Sequence, residues 1–276
     1  MMQKKKLKSM AVFLAAISTA LFIPLTANAD SAGTITESGD GTVDCSTACP
    51  GHTFTGSPGT IKIAGGTHKI TLKGVTIDAK TDKADVPAIE INKSATTGMG
   101  STVEIVLEGI NKLESGNGYA GLYVPSGNSV KITGSGSLEA IGGDTGAGIG
   151  SQGLDGAAGT ITIETTVDPT GKDSNQGKVT ARGGLTAAGI GGGQGGGCGK
   201  VIINSGIVDA RGGSGGTLAS ANGGSIHIFG GAGIGGGGGQ REGGGGEIVL
   251  KGGEVTAIGG ETPPSKELRR AVSETL

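Results

Sequence analysis

Short runs in which every second residue is apolar recur along most of the chain, and clusters of glycine separate them. Ile61-Lys62-Ile63, Ile70-Thr71-Leu72, Val103-Glu104-Ile105, Val130-Lys131-Ile132, Ile161-Thr162-Ile163, Val201-Ile202-Ile203 and Ile248-Val249-Leu250 each put two branched side chains on one face of an extended segment. A period of two predicts strands of three to five residues.

The runs belong to a loose repeat: A-G-I-G, a Gly-rich turn, G-x-I-x-I, a second turn, and V-x-A followed by x-G-G. Its clear copies begin at Ala147, Ala188 and Ala232, and degenerate ones precede them from Ile61 onward. The anchor isoleucines 149, 190 and 234 are 41 and 44 residues apart, whereas the shortest unit, Ala188–Gly213, has 26, so the surplus lies in insertions. One unit cannot bury its apolar face, but stacked units form a continuous narrow core. The pattern therefore predicts an all-β fold, a right-handed parallel β-helix with three short strands per coil, over residues 59–260. Residues 30–58 read as an N-terminal segment or cap.

Composition sharpens this picture. Glycine supplies 61 of 276 residues, with 33 of them between residues 183 and 260, where an average chain has about 7%. Collagen is excluded because Val201–Ala210 breaks the three-residue period. A flexible linker is disfavoured because the alternation restarts in phase after each glycine run.

The two ends differ from the middle. Lys4, Lys5, Lys6 and Lys8, the apolar stretch from Met10 to Leu25 and the triplet Ala27-Asn28-Ala29 have the form of a secretory signal peptide, residues 1–29, cleaved after Ala29. The apolar run is too short for a bilayer span, so the mature chain is expected to be secreted or associated with the cell surface, with no membrane span. Removal of residues 1–29 leaves 18 basic and 24 acidic residues, a net charge of −6, which argues against nucleic acid as a partner. In the tail, residues 261–276, Leu268, Ala271, Val272 and Leu276 follow Ser265 at helical spacing and suggest a short helix able to cover the solenoid end. The alternative is a chain that stops mid-repeat.

Candidate chemistry is sparse. Cys45 and Cys49 are close enough for a local disulfide in an oxidising compartment, Cys198 has no obvious partner, and His52, His68 and His227 are scattered. The alternation turns Arg182 and Arg211 outward one coil apart, about 5 Å from each other. Two like charges so placed need an anion or a neighbouring acid such as Asp209 to offset them; a pair of solvated charges is the plainer reading. Tyr119 and Tyr123 are the better exposed aromatic candidates, while Phe229 reads equally as a core or corner residue.

The GAGIGGG run with G-x-I-x-I and V-x-A-x-G-G resembles the Gly-rich β-helical repeats of bacterial exported surface proteins described as carbohydrate-binding domain proteins, whose coils look like those of pectate lyases. The resemblance covers residues 59–260, most clearly 120–260. It implies a non-catalytic polysaccharide binder or adhesin, with Ca²⁺ as an assisting ion, although no calcium ligand of the family falls on a matching position.

The leading expectation is an exported polysaccharide-binding or adhesive protein for acidic glycans, with Arg182, Arg211, Asp209, Tyr119 and Tyr123 as binding residues. A polyuronate lyase is the second reading, drawing on Arg182, Arg211, Asp144, Asp155 and Asp209, none of which stands out by spacing. Asp78, Asp82 and Asp85 read as a solvated turn rather than a hydrolytic pair. A structural spacer, self-associating end to end through open strand edges, is the third. An ice-binding face is remote, because Thr160, Thr162, Thr180 and Thr256 form no regular double rank.

Overall fold

The computed structural model describes residues 34–36, 43–45, 50–80, 86–154, 156–170, 176–219, 225–240 and 243–261. The expected signal peptide, the tail helix, and Cys49 with its disulfide to Cys45 lie outside these residues. All regular structure among them is β. In chain order the strands are β1 (Thr34–Thr36), β2 (Val43–Cys45), β3 (Pro50–Gly56), β4 (Ile61–Ala64), β5 (Gly66–Asp78), β6 (Ile89–Asn92), β7 (Ser101–Glu108), β8 (Ile110–Glu114), β9 (Leu122–Tyr123), β10 (Ser129–Gly134) and β11 (Ser137–Ile141). They continue as β12 (Ile149–Gly150), β13 (Thr160–Thr165), β14 (Lys178–Arg182), β15 (Ile190–Gly191), β16 (Lys200–Ser205), β17 (Ile207–Arg211), β18 (Gly216–Ala219), β19 (Ser225–Ile228), β20 (Ile234–Gly235), β21 (Glu247–Leu250) and β22 (Glu254–Ile258).

Two large all-parallel sheets contain every strand except β18 and β19, and their arrangement is that of a parallel β-solenoid. The seven-stranded sheet runs β2-β4-β6-β9-β12-β15-β20, and the other holds 13 strands. Strands adjacent in sequence mostly pair not with each other but with their counterparts in the next repeat, as β12 does with β15 and β14 with β17. The 13-stranded sheet has two arms joined at β5, whose first half pairs with β7 and whose last residues pair with β8. Gly74, at φ +64°, marks the change of direction, a conformation that a Cβ would penalise. The ladder already includes β1, β2 and β3, which fall in residues 30–58.

The alternating residues stack as expected. Ile61, Ile89, Leu122, Ile149, Ile190 and Ile234 form one register column; Ile70, Ile105, Ile132, Ile163, Ile203 and Leu250 form another. Through Ile203 and Ile190 the members of both columns are fully buried, each contributing about 1.5–3 kcal/mol of hydrophobic stabilisation. Because every side chain rests on a like one above and below, this narrow core needs no aromatic residues beyond Phe54 and Tyr123.

Glycine keeps the corners of successive coils in contact. A Cβ on Gly213 would lie 1.6 Å from the Gly184 carbonyl oxygen, and one on Gly184 would lie 1.7 Å from that of Gly143. The surplus residues of the longer repeats form two insertions. One is the segment between β13 and β14; the other is the antiparallel hairpin β18–β19 between β17 and β20.

Candidate functional site

Arg182 and Arg211 stand opposite each other on β14 and β17, as the strand phase requires. Each guanidinium is already engaged. Arg211 grips Asp209 on its own strand with Nε–Oδ1 at 3.0 Å and Nη2–Oδ2 at 3.3 Å, and Arg182 reaches Glu139 in the preceding coil at 3.5 Å. The hydrogen bonds from Arg211, with the nearby charges of Arg211, Arg182 and Lys178, hold the Asp209 carboxyl below the usual range despite the opposing effect of partial burial. Arg211 in turn holds its proton more tightly, chiefly through its hydrogen bond to Asp209. The acids that offset the two arginines, Glu139 and Asp209, thus stand on the same face.

Compensation extends over the outer surface of the 13-stranded sheet. Lys69–Glu104, Lys73–Glu108 and Lys200–Glu247 pair across adjacent coils at 3.2, 3.2 and 2.9 Å. Lys131 meets Glu164 at 3.0 Å, and Asn204 also donates to that carboxylate. These are cross-strand pairs at exposed positions, each with a small effect on stability.

The tyrosines divide. Tyr119 is half-buried. Tyr123 lies within β9 and is 7% exposed, packed with Ala120 and Ala147. This corrects the expectation that both rings are exposed: Tyr123, in register with Gly150 of the next coil, packs onto the small residues Ala120 of its own coil and Ala147 of the next. Phe229 is half-exposed at the end of the β18–β19 hairpin, where it forms an antiparallel bridge with Gly239. Asp144 makes no side-chain contact with Asp209 or either arginine, and Asp155 lies outside the described residues. Cys198 is buried, and burial pushes its thiol pKa up, which disfavours the reactive thiolate. Among the described residues no three His, Cys, Asp or Glu side chains group closely enough to hold a metal ion.

A site that the repeat analysis did not single out lies where the chain enters β7, β10, β13 and β16. A groove of about 570 Å³ crosses these four strands. Thr102, Ser129, Thr160 and Lys200 line it from one register column, repeating at the strand spacing of about 4.8 Å. The Ser129 hydroxyl donates to Thr102 Oγ1 at 3.2 Å. Gly159 and Gly199 form part of its floor, and a Cβ on either would meet a backbone oxygen of the preceding turn at 2.2 Å.

Asn128 fixes one wall. Its buried carboxamide accepts the Ser101 amide at 2.9 Å and donates to the Pro125 carbonyl at 3.0 Å, tying two coils together where the strands begin. The available signal was positional: in S-T-V-E-I, N-S-V-K-I and G-T-I-T-I the residue before the first apolar position carries a hydroxyl.

Comparisons with protein-family models, with curated proteins and with solved structures find no match.

Proposed function

We propose that the protein is an exported, non-catalytic polysaccharide-binding or adhesive surface protein built on a right-handed parallel β-helix with three strands per coil. The handedness follows from the rule that nearly all parallel crossover connections are right-handed. The observation that supports the function is the polar groove at Thr102, Ser129, Thr160 and Lys200. Its groups repeat along the solenoid axis at a spacing close to the length of one sugar unit. An extended glycan lying along the axis therefore meets equivalent donors and acceptors at successive units.

The chemistry of the groove favours hydroxyl recognition over charge. The hydroxyls both donate and accept, whereas the Lys200 ammonium is shared with Glu247. An acidic glycan could use Arg182 and Arg211 only by displacing Glu139 or Asp209. Asp209 and the two arginines thus form a secondary contact surface in this reading, with Tyr119 a separate candidate contact. The lyase alternative is weakened on the same face, because Arg211, paired with Asp209, holds its proton more tightly and is less available in the deprotonated form a general base needs.

A glycan microarray probed with the full chain tests the proposal. Binding is expected to polysaccharides of regular linkage and to weaken at least tenfold in the double variant Thr102→Val, Thr160→Val. Absence of binding to any glycan would remove the reading.

The spacer reading retains one supporting observation. Ile248 and Leu250 continue the buried columns of Val201 and Ile203 but are 44% and 58% exposed, an apolar edge that pairing with another copy would cover.

A further inference from the structure

The turn that follows the A-G-I-G strand recurs in three coils with one backbone pattern. Gly153 donates to the Gly118 carbonyl, Gln194 to that of Thr145 and Gly238 to that of Thr186. The next residue is Leu154, Gly195 and Gly239 in turn, each with positive φ: +64°, +68° and +131°. Glycine adopts this conformation freely, while a side chain such as leucine is strained in it. Leu154 is also 85% exposed. One residue therefore combines backbone strain with a water-exposed isobutyl group, at a position where the two following coils use glycine.

Leu154 borders a cleft of about 700 Å³ that Ile228, at the end of β19, also lines. Gln194 and Gln240 line it too. Among the described residues, neither glutamine carboxamide has a protein hydrogen-bond partner, and no charged side chain lines the cleft. The hairpin is held in place by the reciprocal backbone bonds of Phe229 and Gly239, at 2.9 and 3.0 Å. The cleft thus joins the aliphatic side chains of Leu154 and Ile228 to the carboxamides of Gln194 and Gln240, a mixture of apolar wall and few polar groups typical of small-molecule sites.

We propose that this cleft binds a single neutral sugar unit, separate from the groove and resting on the polysaccharide-binding reading of the protein. The carbon-bound hydrogens of the ring face pack on Leu154 and Ile228. The hydroxyls exchange hydrogen bonds with Gln194 and Gln240, whose carboxamides supply both donors and acceptors. Among the described lining residues none carries a charge to pair with that of a charged sugar, which favours the neutral form. Strain held at an exposed residue is the expected mark of a contact whose geometry serves a ligand rather than the fold.

The test is titration calorimetry and ligand-observed NMR on the full chain, using neutral hexoses, N-acetylhexosamines, their disaccharides, the corresponding uronates and an unrelated neutral peptide library. Leu154→Gly is expected to weaken neutral-sugar binding at least fivefold without lowering the thermal midpoint, because glycine relieves the strain. Gln194→Ala with Gln240→Ala is expected to weaken it at least tenfold. The groove variant Thr102→Val, Thr160→Val is expected to leave it unchanged while reducing polysaccharide binding. Polysaccharide binding without neutral-sugar binding would overturn the cleft assignment and leave the groove reading intact. Equal affinity for uronates, no effect of the cleft variants, or binding of peptides in place of sugars would also overturn it.

Discussion

The Asn111 side chain accepts the backbone amide of Val75 through Oδ1 at 2.9 Å from the adjacent coil, and it is wholly buried while doing so. Its Nδ2 donates to the Glu108 carbonyl and, one coil further on, to that of Ser137 at 3.1 Å. One carboxamide therefore links three coils at the corner where β5 changes direction. Asn111→Ala leaves the Val75 amide and the Ser137 carbonyl without this partner, and a buried unsatisfied group costs about 1–3 kcal/mol. Urea denaturation is expected to show a loss of about 2–4 kcal/mol.

The stacked corners make a second prediction. Gly213→Ala drives a Cβ into the Gly184 carbonyl and should reduce stability by several kcal/mol. Gly244→Ala meets nothing within 4 Å and carries no positive φ, so its thermal midpoint should stay near that of the parent. Equal effects from the two substitutions would mean that close backbone stacking is not what glycine provides here.

Much of this framework was legible in the residues. The columns through Ile149 and Ile163, and the opposition of Arg182 and Arg211, follow from the period of two and the repeat alone. Asn111 escaped notice because it takes an inward position, in register with Leu138, that alternation assigns to an apolar residue. The groove was hidden for a different reason. Thr102, Ser129 and Thr160 are ordinary outward residues locally, and only the register across coils brings them into one column. Tyr123 was misjudged because a strand of two residues gives the alternation too little length to fix which side its last residue takes.

The charged outer face should respond to pH at both extremes. The Asp209 carboxyl is depressed in the folded state, first by the hydrogen bonds from Arg211. Its contribution is present above the unfolded carboxylate pKa and is lost as pH falls through the folded value. Lys112 is raised, first by its hydrogen bond to Glu114 and against the effect of desolvation; its contribution is present below the unfolded lysine pKa and is lost as pH rises through the folded one. Asp209→Asn should flatten the acid limb of a stability profile, and Lys112→Met the alkaline limb. Both effects should be small and should shrink with added salt, as expected for exposed pairs.

Arg182 and Arg211 provide a further check on how glycans are held. Since both guanidiniums are engaged by acids of the same face, Arg211→Ala is expected to change polysaccharide affinity less than threefold. Asp209→Asn frees Arg211 and should raise affinity for uronate polymers at low salt. A large loss of binding on Arg211→Ala would place the main contact on this face instead of in the groove.

The most direct test of the central claim is the affinity of the full chain for a regular polysaccharide, measured by calorimetry beside that of the Thr102→Val, Thr160→Val variant with matched circular dichroism. Loss of at least tenfold in affinity with an unchanged fold is the predicted result. Undiminished binding by the variant, or no binding by the parent chain to any polysaccharide, would contradict the account.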